Sequence, residues 1–285
     1  MVSRSKSRLD DRPDGTTSLG RYVTVQARTI LDGRAALLAG DDVVHGTRVA
    51  IRRLRAVLRV YAQFLELTPD DVGRLDDELS WYAGVWGAVR DVQVQRPIIA
   101  ALVDGLPLPP QARSAAAEAI DAALARREDA ARGALEATFD SARHHDLAEA
   151  LDRWAGDPPT RALVRASELS AAGDRAADRA HRRTRRAIAR GEPELIHRAR
   201  KTVKRARYAN EVAGGRRGRV RRRLSRLTGL QDGLGEYQDA VVTAELAESL
   251  APEVDPATTF VLGMVTLRAR ERAEALREGA ISAPG

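Results

Sequence analysis

From about residue 16 onward the apolar positions recur three and four apart, the period of a helix with one buried face, and they do not alternate as half-buried strands do. Breaks in the pattern fall near Gly40, Pro69, "GLPLPP" at 105–110, "GDPP" at 156–159, "GEP" at 191–193, "GGRRG" at 214–218 and Pro256. Between them the spacing predicts helices over 17–38, 42–66, 70–103, 110–154, 160–190, 194–213, 217–250 and 257–278, and hence an all-α fold. The polar opening "MVSRSKSRLDDRPDG" lacks this period, so residues 1–15 are expected to form a disordered tail.

The helical pattern occurs twice. "HGTRVAIRRLR" at 45–55 matches "HRARKTVKRAR" at 197–207, placing His45 on His197, Arg48 on Arg200, Arg52 on Lys204, Arg53 on Arg205 and Arg55 on Arg207 at a constant offset of 152. A second block follows each first block: "WGAVRDVQV" at 86–94 against "LGEYQDAVV" at 234–242 pairs Gly87 with Gly235 and Asp91 with Asp239 at an offset of 148. Histidine fills only five of 285 positions, so two histidines opening the same basic pattern point to a tandem duplication, with halves at 16–155 and 156–280.

Composition agrees with helix and adds a charge. Phe, Trp and Tyr make up 4% of the chain, and alanine, leucine, arginine and glutamate dominate. The net charge is +7, and of 47 basic residues only Lys6, Lys201 and Lys204 are lysines. Guanidinium stays charged and offers a planar fork of donors suited to phosphate, so a polyanionic partner fits this surface. The chain has no cysteine, which excludes disulfides and thiolate metal sites. No apolar run approaches the length needed to span a bilayer, and the first residues lack the apolar core of a secretory signal; a soluble, cytoplasmic protein is expected.

The basic repeats carry the candidate chemistry. At about 100° per residue, His45, Arg48, Arg52, Arg55 and Arg59 fall within one arc of roughly 80°, with Ile51, Leu54, Leu58 and Tyr61 on the opposite side. The second copy sets His197, Arg200, Lys204 and Arg207 on the same arc, flanked by Lys201 and Arg205, and departs at Glu211, where Arg59 stands in the first. A solvated helix face usually mixes signs to gain pairs one turn apart, yet no acid interrupts residues 45–59. Like charges so spaced cost stability unless anions lie between them, and stacked guanidiniums can each fork onto a different phosphoryl group. Histidine at the head of each ladder suits contact with a phosphate oxygen better than catalysis. Asp91 and Asp239 read as groups that pair with a basic residue of the ladder, or as local helix-packing residues.

Other signals are weaker. "HHD" at 144–146 has no second His and Asp set at metal-site spacing and reads as surface helix; no cofactor and no metal site is expected. "GRRGRV" is not a phosphate loop, since neither the preceding strand nor the Lys-Ser/Thr signature accompanies it. "RAHRRTRR" at 179–186 and "RRGRVRRRLSR" at 216–226 either widen a positive mouth or face water. A nucleic-acid binder and a histidine phosphotransfer bundle are the rival functions, but no helix-turn-helix or RNA-binding signature is present and aromatics for base stacking are few. A dozen cations around either histidine would also hold a phosphorylated product tightly.

The two basic blocks with their later Gly-x-x-x-Asp elements, "GAVRD" and "GEYQD", resemble the CHAD domain, the conserved histidine α-helical domain, over about residues 16–280. The resemblance implies two antiparallel four-helix bundles related by pseudo-two-fold symmetry, whose basic helices face each other across a central positive cavity. It implies binding of inorganic polyphosphate without catalysis, with association to polyphosphate granules as one use. The contacts it implies are His45, Arg48, Arg52, Arg53 and Arg55 with His197, Arg200, Lys201, Lys204, Arg205 and Arg207, to which the ladder adds Arg59. The second half departs from the pattern at Gln238, the counterpart of Arg90. Oligomeric state is left open.

Overall fold

The computed structural model describes residues 15–212 and 218–282; residues 1–14 of the expected N-terminal tail and most of the "GGRRG" stretch lie outside them. Among the described residues there are nine α-helices: α1 (Gly15–Leu38), α2 (Val44–Tyr61), α3 (Pro69–Asp104), α4 (Pro110–Thr138), α5 (Ala142–Gly156), α6 (Ala166–Arg190), α7 (Pro193–Val212), α8 (Gly218–Leu250) and α9 (Pro256–Ser282). The fold is all-α, as the periodicity predicts. The only β pairing among the described residues is a single antiparallel bridge between Leu65 and Thr160.

Local chemistry sets the ends. Thr68 caps α3 by accepting the Asp71 N–H, with Pro69 in the first turn and Asp70 and Asp71 beside the positive end of the helix dipole. Gly191 closes α6 in the left-handed region at φ 65°, where a β-carbon is strained, and lets α7 start two residues later.

Two predicted boundaries are corrected. The helix expected over 110–154 is two, because the Ser141 side chain accepts the His144 N–H and caps a new helix after Phe139 and Asp140. The helix expected from 160 begins at Ala166: Pro158 and Pro159 resist helix, and this segment instead runs extended beside Leu65, with Glu66 donating to the Pro159 carbonyl and Arg161 donating to that of Phe64.

Each helix of α1–α2–α3–α4 packs on the next, the same order of neighbours recurs in α6–α7–α8–α9, and α5 is an addition packed on α1. The apolar residues gather in three clusters. One joins α1, α2, the first half of α3 and α5, and takes in Leu169 and Ala172 of α6 with Ala209 and Val212 of α7. A second unites the far ends of the two long helix pairs, Ile99 and Val103 of α3 and Ile120 and Leu124 of α4 against Leu250, Leu262 and Val265. The third holds α6, α7 and α8 through Ala180, Val203 and Leu227. Both halves of the chain therefore share core at two places, and α2 packs on α7 between them.

Candidate anion-binding site

Helix α2 buries Ile51, Leu54, Leu58 and Tyr61 completely, which turns its basic positions away from the core. The Tyr61 hydroxyl then reaches across to α7 and donates to the Ala209 carbonyl at 2.7 Å. That bond and the shared apolar contacts hold the two ladders side by side rather than on opposite exteriors.

Each ladder is anchored in the same way. Arg48 Nη1 donates to Asp91 Oδ1 of α3 at 2.7 Å and to the Gly87 carbonyl at 3.1 Å. Its counterpart Arg200 lies 3.6 Å from Asp239 of α8. The pairing of these aspartates with the ladder, one of two alternatives in the sequence, is what the structure has, and it recurs in both halves. A β-carbon on Gly87 would stand 3.2 Å from the Arg48 guanidinium, so glycine there permits the approach; Gly235 has no such neighbour. In both arginines Nε is buried without an acceptor.

Between the anchors, Arg48, Arg52, Arg200 and Lys204 form a half-buried group of like charges. Burial and then Arg48 hold the Arg52 guanidinium below its ordinary value, offset in part by Tyr208. Burial likewise lowers Arg200, against the pull of Asp239. Lys204 is affected most: burial first, then Arg200, Arg52 and Arg48, push its ammonium down to about 7. No carboxylate pairs with Arg52 or Lys204 among the described residues. The structure thus confines cations where water cannot fully solvate them, which is unfavourable until an anion enters.

Other candidate residues are placed differently. Arg55 and Arg59 both bind Asp76 of α3, Arg55 Nε at 3.0 Å and Arg59 Nε at 2.8 Å. Arg53 donates to Glu211 at 2.8 Å and Arg207 to the same carboxylate at 3.0 Å, so Glu211 clamps α2 to α7. These four guanidiniums thus share two carboxylates, one to each pair. His45 lies at the head of α2, where partial desolvation and then Arg90 and Arg52 lower its pKa. His197 is instead 2.7 Å from Gln238 Oε1 through Nδ1. Lys201 and Arg205 lie on the flank of α7 turned to α6.

Asp76 and Tyr208 were missed in the sequence, where Glu211 stands only as a departure from the repeat and Arg90 only as the counterpart of Gln238. Asp76 was findable, since it stands fifteen residues before Asp91, roughly 60° away round α3. The "HHD" stretch is corrected in part: His144 is buried between Tyr82 and Phe139, with ring centroids at 5.5 and 5.3 Å, and is core rather than surface.

Comparison with known proteins gives a consistent picture. Among solved structures the chain is similar to PptA from Streptomyces chartreusis, at TM-score 0.75 and 21% identity over 93% of this chain and 97% of that one. It is also similar to the CHAD domain from the plant Ricinus communis, at TM-score 0.72 and 24% identity over 94% and 92%. At these identities the likeness bears on fold alone. A comparison with curated protein sequences gave no match. The CHAD domain profile matches residues 21–248, most of the chain and both basic repeats, and so this protein belongs to the CHAD domain family.

Proposed function

We propose that this protein binds inorganic polyphosphate along the cations shared by α2 and α7, holding the polymer without converting it. The observation that carries this reading is the convergence of Arg48, Arg52, Arg200 and Lys204, with Asp91 and Asp239 orienting the outer pair and Arg52 and Lys204 left uncompensated among the described residues. A linear chain of phosphoryl groups presents a charge to each rung in turn and restores the ammonium of Lys204. The two halves act as pseudo-two-fold copies facing one polymer, a view supported by the recurrence of helix order and of the Arg–Asp anchor. No described helix is long and apolar enough to cross a membrane, and attachment to polyphosphate granules is the role this surface suits.

DNA and RNA carry the same phosphates, so competition decides between them. Long-chain polyphosphate and single-stranded DNA are titrated against the protein at one fixed salt concentration. Polyphosphate is expected to bind more tightly by at least about tenfold, with affinity falling steeply as salt rises. Arg52→Glu with Lys204→Glu should abolish binding while circular dichroism stays unchanged. Equal affinity for DNA, or full polyphosphate binding by the folded double variant, overturns the proposal.

A further inference from the structure

The outer face of α9 is apolar where a solvated helix would be polar. The helix packs inward through Val261, Leu262 and Val265, which are buried against α3, α4 and α8. On its other side Pro256, Phe260, Gly263 and Leu267 follow one another at steps of four, three and four, which sets them within an arc of about 60°. Phe260 is 67% exposed and Leu267 58%. Pro256, Ala257 and Gly263 are exposed with them, and Met264 lies partly buried on the flank. The stripe is about 17 Å long, and no charge interrupts residues 256–267. Beyond Leu267 the same spacing meets Arg270 and Glu274, so the apolar stretch is a bounded patch and not the habit of the whole helix. Bounded apolar patches of this kind mark contacts with other molecules.

The stripe fits a second copy of itself. Apolar positions spaced four, three and four apart form the seam along which two helices pair. A β-carbon on Gly263 would meet nothing within 4 Å, which leaves a notch between Phe260 and Leu267. When two copies of α9 run antiparallel, one register sets Phe260 of each over the Gly263 notch of the other and brings Pro256 against Leu267. Charge favours the same direction. Glu253 and Asp255 precede the stripe, and Arg268, Arg270 and Arg272 follow it with Glu271 among them. Antiparallel pairing lays the acidic end of each copy beside the basic end of the other, whereas parallel pairing lays like charges together. Arg268 has no carboxylate partner among the described residues, and the Asp255 carboxylate accepts only from Ala257 and Thr258 at the start of its own helix. The remaining sequence offers little to cover the stripe from within: residues 1–14, 213–217 and 283–285 include only Met1, Val2 and Leu9 as large apolar side chains. One helix face of this length buries less than about 1,200 Å² in total, the size of a reversible contact, so a dissociation constant on the order of micromolar is expected.

We propose that the Phe260–Leu267 face of α9 is a self-association surface, on which two copies of this chain pair through antiparallel α9 helices. The pairing does not depend on the anion site, and Arg52→Glu with Lys204→Glu should leave it unchanged. Sedimentation velocity of the full chain across about 1–500 µM should show the mean mass rising from that of one chain toward that of two. Phe260→Asp removes the exposed anchor, and Gly263→Gln fills the notch where the single chain has open space, so both variants should keep their helix content. Each should weaken association at least about tenfold. Leu163→Asp, at another exposed apolar side chain, should not. The chain has no cysteine, so oxidation reads the direction of pairing: Pro256→Cys and Leu267→Cys proteins should cross-link when mixed and not when alone. A single chain at every concentration leaves the stripe to a different partner and overturns the proposal. So does a dimer indifferent to both Phe260→Asp and Gly263→Gln, or cross-linking of each cysteine variant with itself alone, which a parallel seam would give.

Discussion

Lys204 offers the sharpest test, because its burial among arginines makes opposite predictions for stability and for binding. Its ammonium falls from an ordinary 10.5 to about 7, while in the unfolded chain it keeps the ordinary value. Between those pH values the unfolded state therefore holds more protons than the folded one, and stability rises with pH through this window. At roughly 1.4 kcal/mol per pH unit, discharging Lys204 at pH 8 costs the folded protein about 3 kcal/mol. Lys204→Met keeps a flexible stem of similar length and removes the charge. It should stabilise the free protein by about 1–3 kcal/mol at pH 7–8, a rise of several degrees in melting temperature, and the gain should vanish by about pH 10.5. The same variant should bind polyphosphate about tenfold or more weakly, because the polymer recharges Lys204 and so draws a proton on binding. Wild-type affinity should accordingly fall by up to about tenfold per pH unit above pH 7, and Lys204→Arg should flatten that slope. Differential scanning calorimetry across pH 7–10 and titrations in the same buffers measure both effects. A Lys204→Met protein that melts at or below the wild type at pH 8, or a wild-type affinity flat in pH, would refute the reasoning.

Two further outcomes follow from the carboxylate and glycine partners of the ladders. Burial alone would raise the Asp76 carboxyl, but hydrogen bonds from Arg59 and Arg55 outweigh it and hold the group below the ordinary carboxylate value of 3.8. Its contribution is therefore present above that value and lost as pH falls below it through the lowered folded-state value; Asp76→Asn should cost about 2–3 kcal/mol in urea unfolding at neutral pH and progressively less in acid, by leaving two half-buried guanidiniums unpaired. Gly87→Ala should move Arg48 off Asp91 and lower polyphosphate affinity severalfold, whereas Gly235→Ala, with open space at its β-carbon, should leave affinity alone and add up to about 1 kcal/mol of helix stability. Equal effects of the two glycine substitutions on binding would remove Arg48 from the site.

Much of the fold was legible because helix needs only local information. The apolar period and the Pro and Gly breaks located most elements to within a few residues, and the duplication singled out Asp91 and Asp239 as either partners of a basic residue in the ladders or packing residues, while the structure supplied the partners, Arg48 and Arg200. The break at Ser141 was not legible, since a serine cap between helical stretches has no proline or glycine to announce it. The segment before α6 was misread because its extended form depends on Leu65, almost a hundred residues away in sequence. The meeting of the α3–α4 and α8–α9 tips in one cluster is likewise a tertiary fact that helical periodicity does not encode.

The extent of the site was harder to read than its location, and the reason lies in how carboxylates are distributed. The sequence shows which positions of α2 and α7 are cationic; it does not show which of those charges are already balanced from a neighbouring helix. Asp76 engages Arg55 and Arg59, and Glu211, which stands in the second repeat where the first has Arg59, engages Arg53 and Arg207. The departure from the repeat is therefore the fastening point between the halves: one rung of the second ladder is exchanged for an anion that bridges both helices and also accepts the Tyr22 hydroxyl. Without such a clamp, the repulsion between two rows of guanidiniums would oppose the Tyr61 hydrogen bond and the apolar contacts that hold α2 against α7. With the lower rungs half balanced by two carboxylates, Arg52 and Lys204 are left with no carboxylate partner among the described residues, where an incoming chain of phosphates relieves the repulsion. Fastening and binding thus draw on the same pair of helices, divided by where the acids fall.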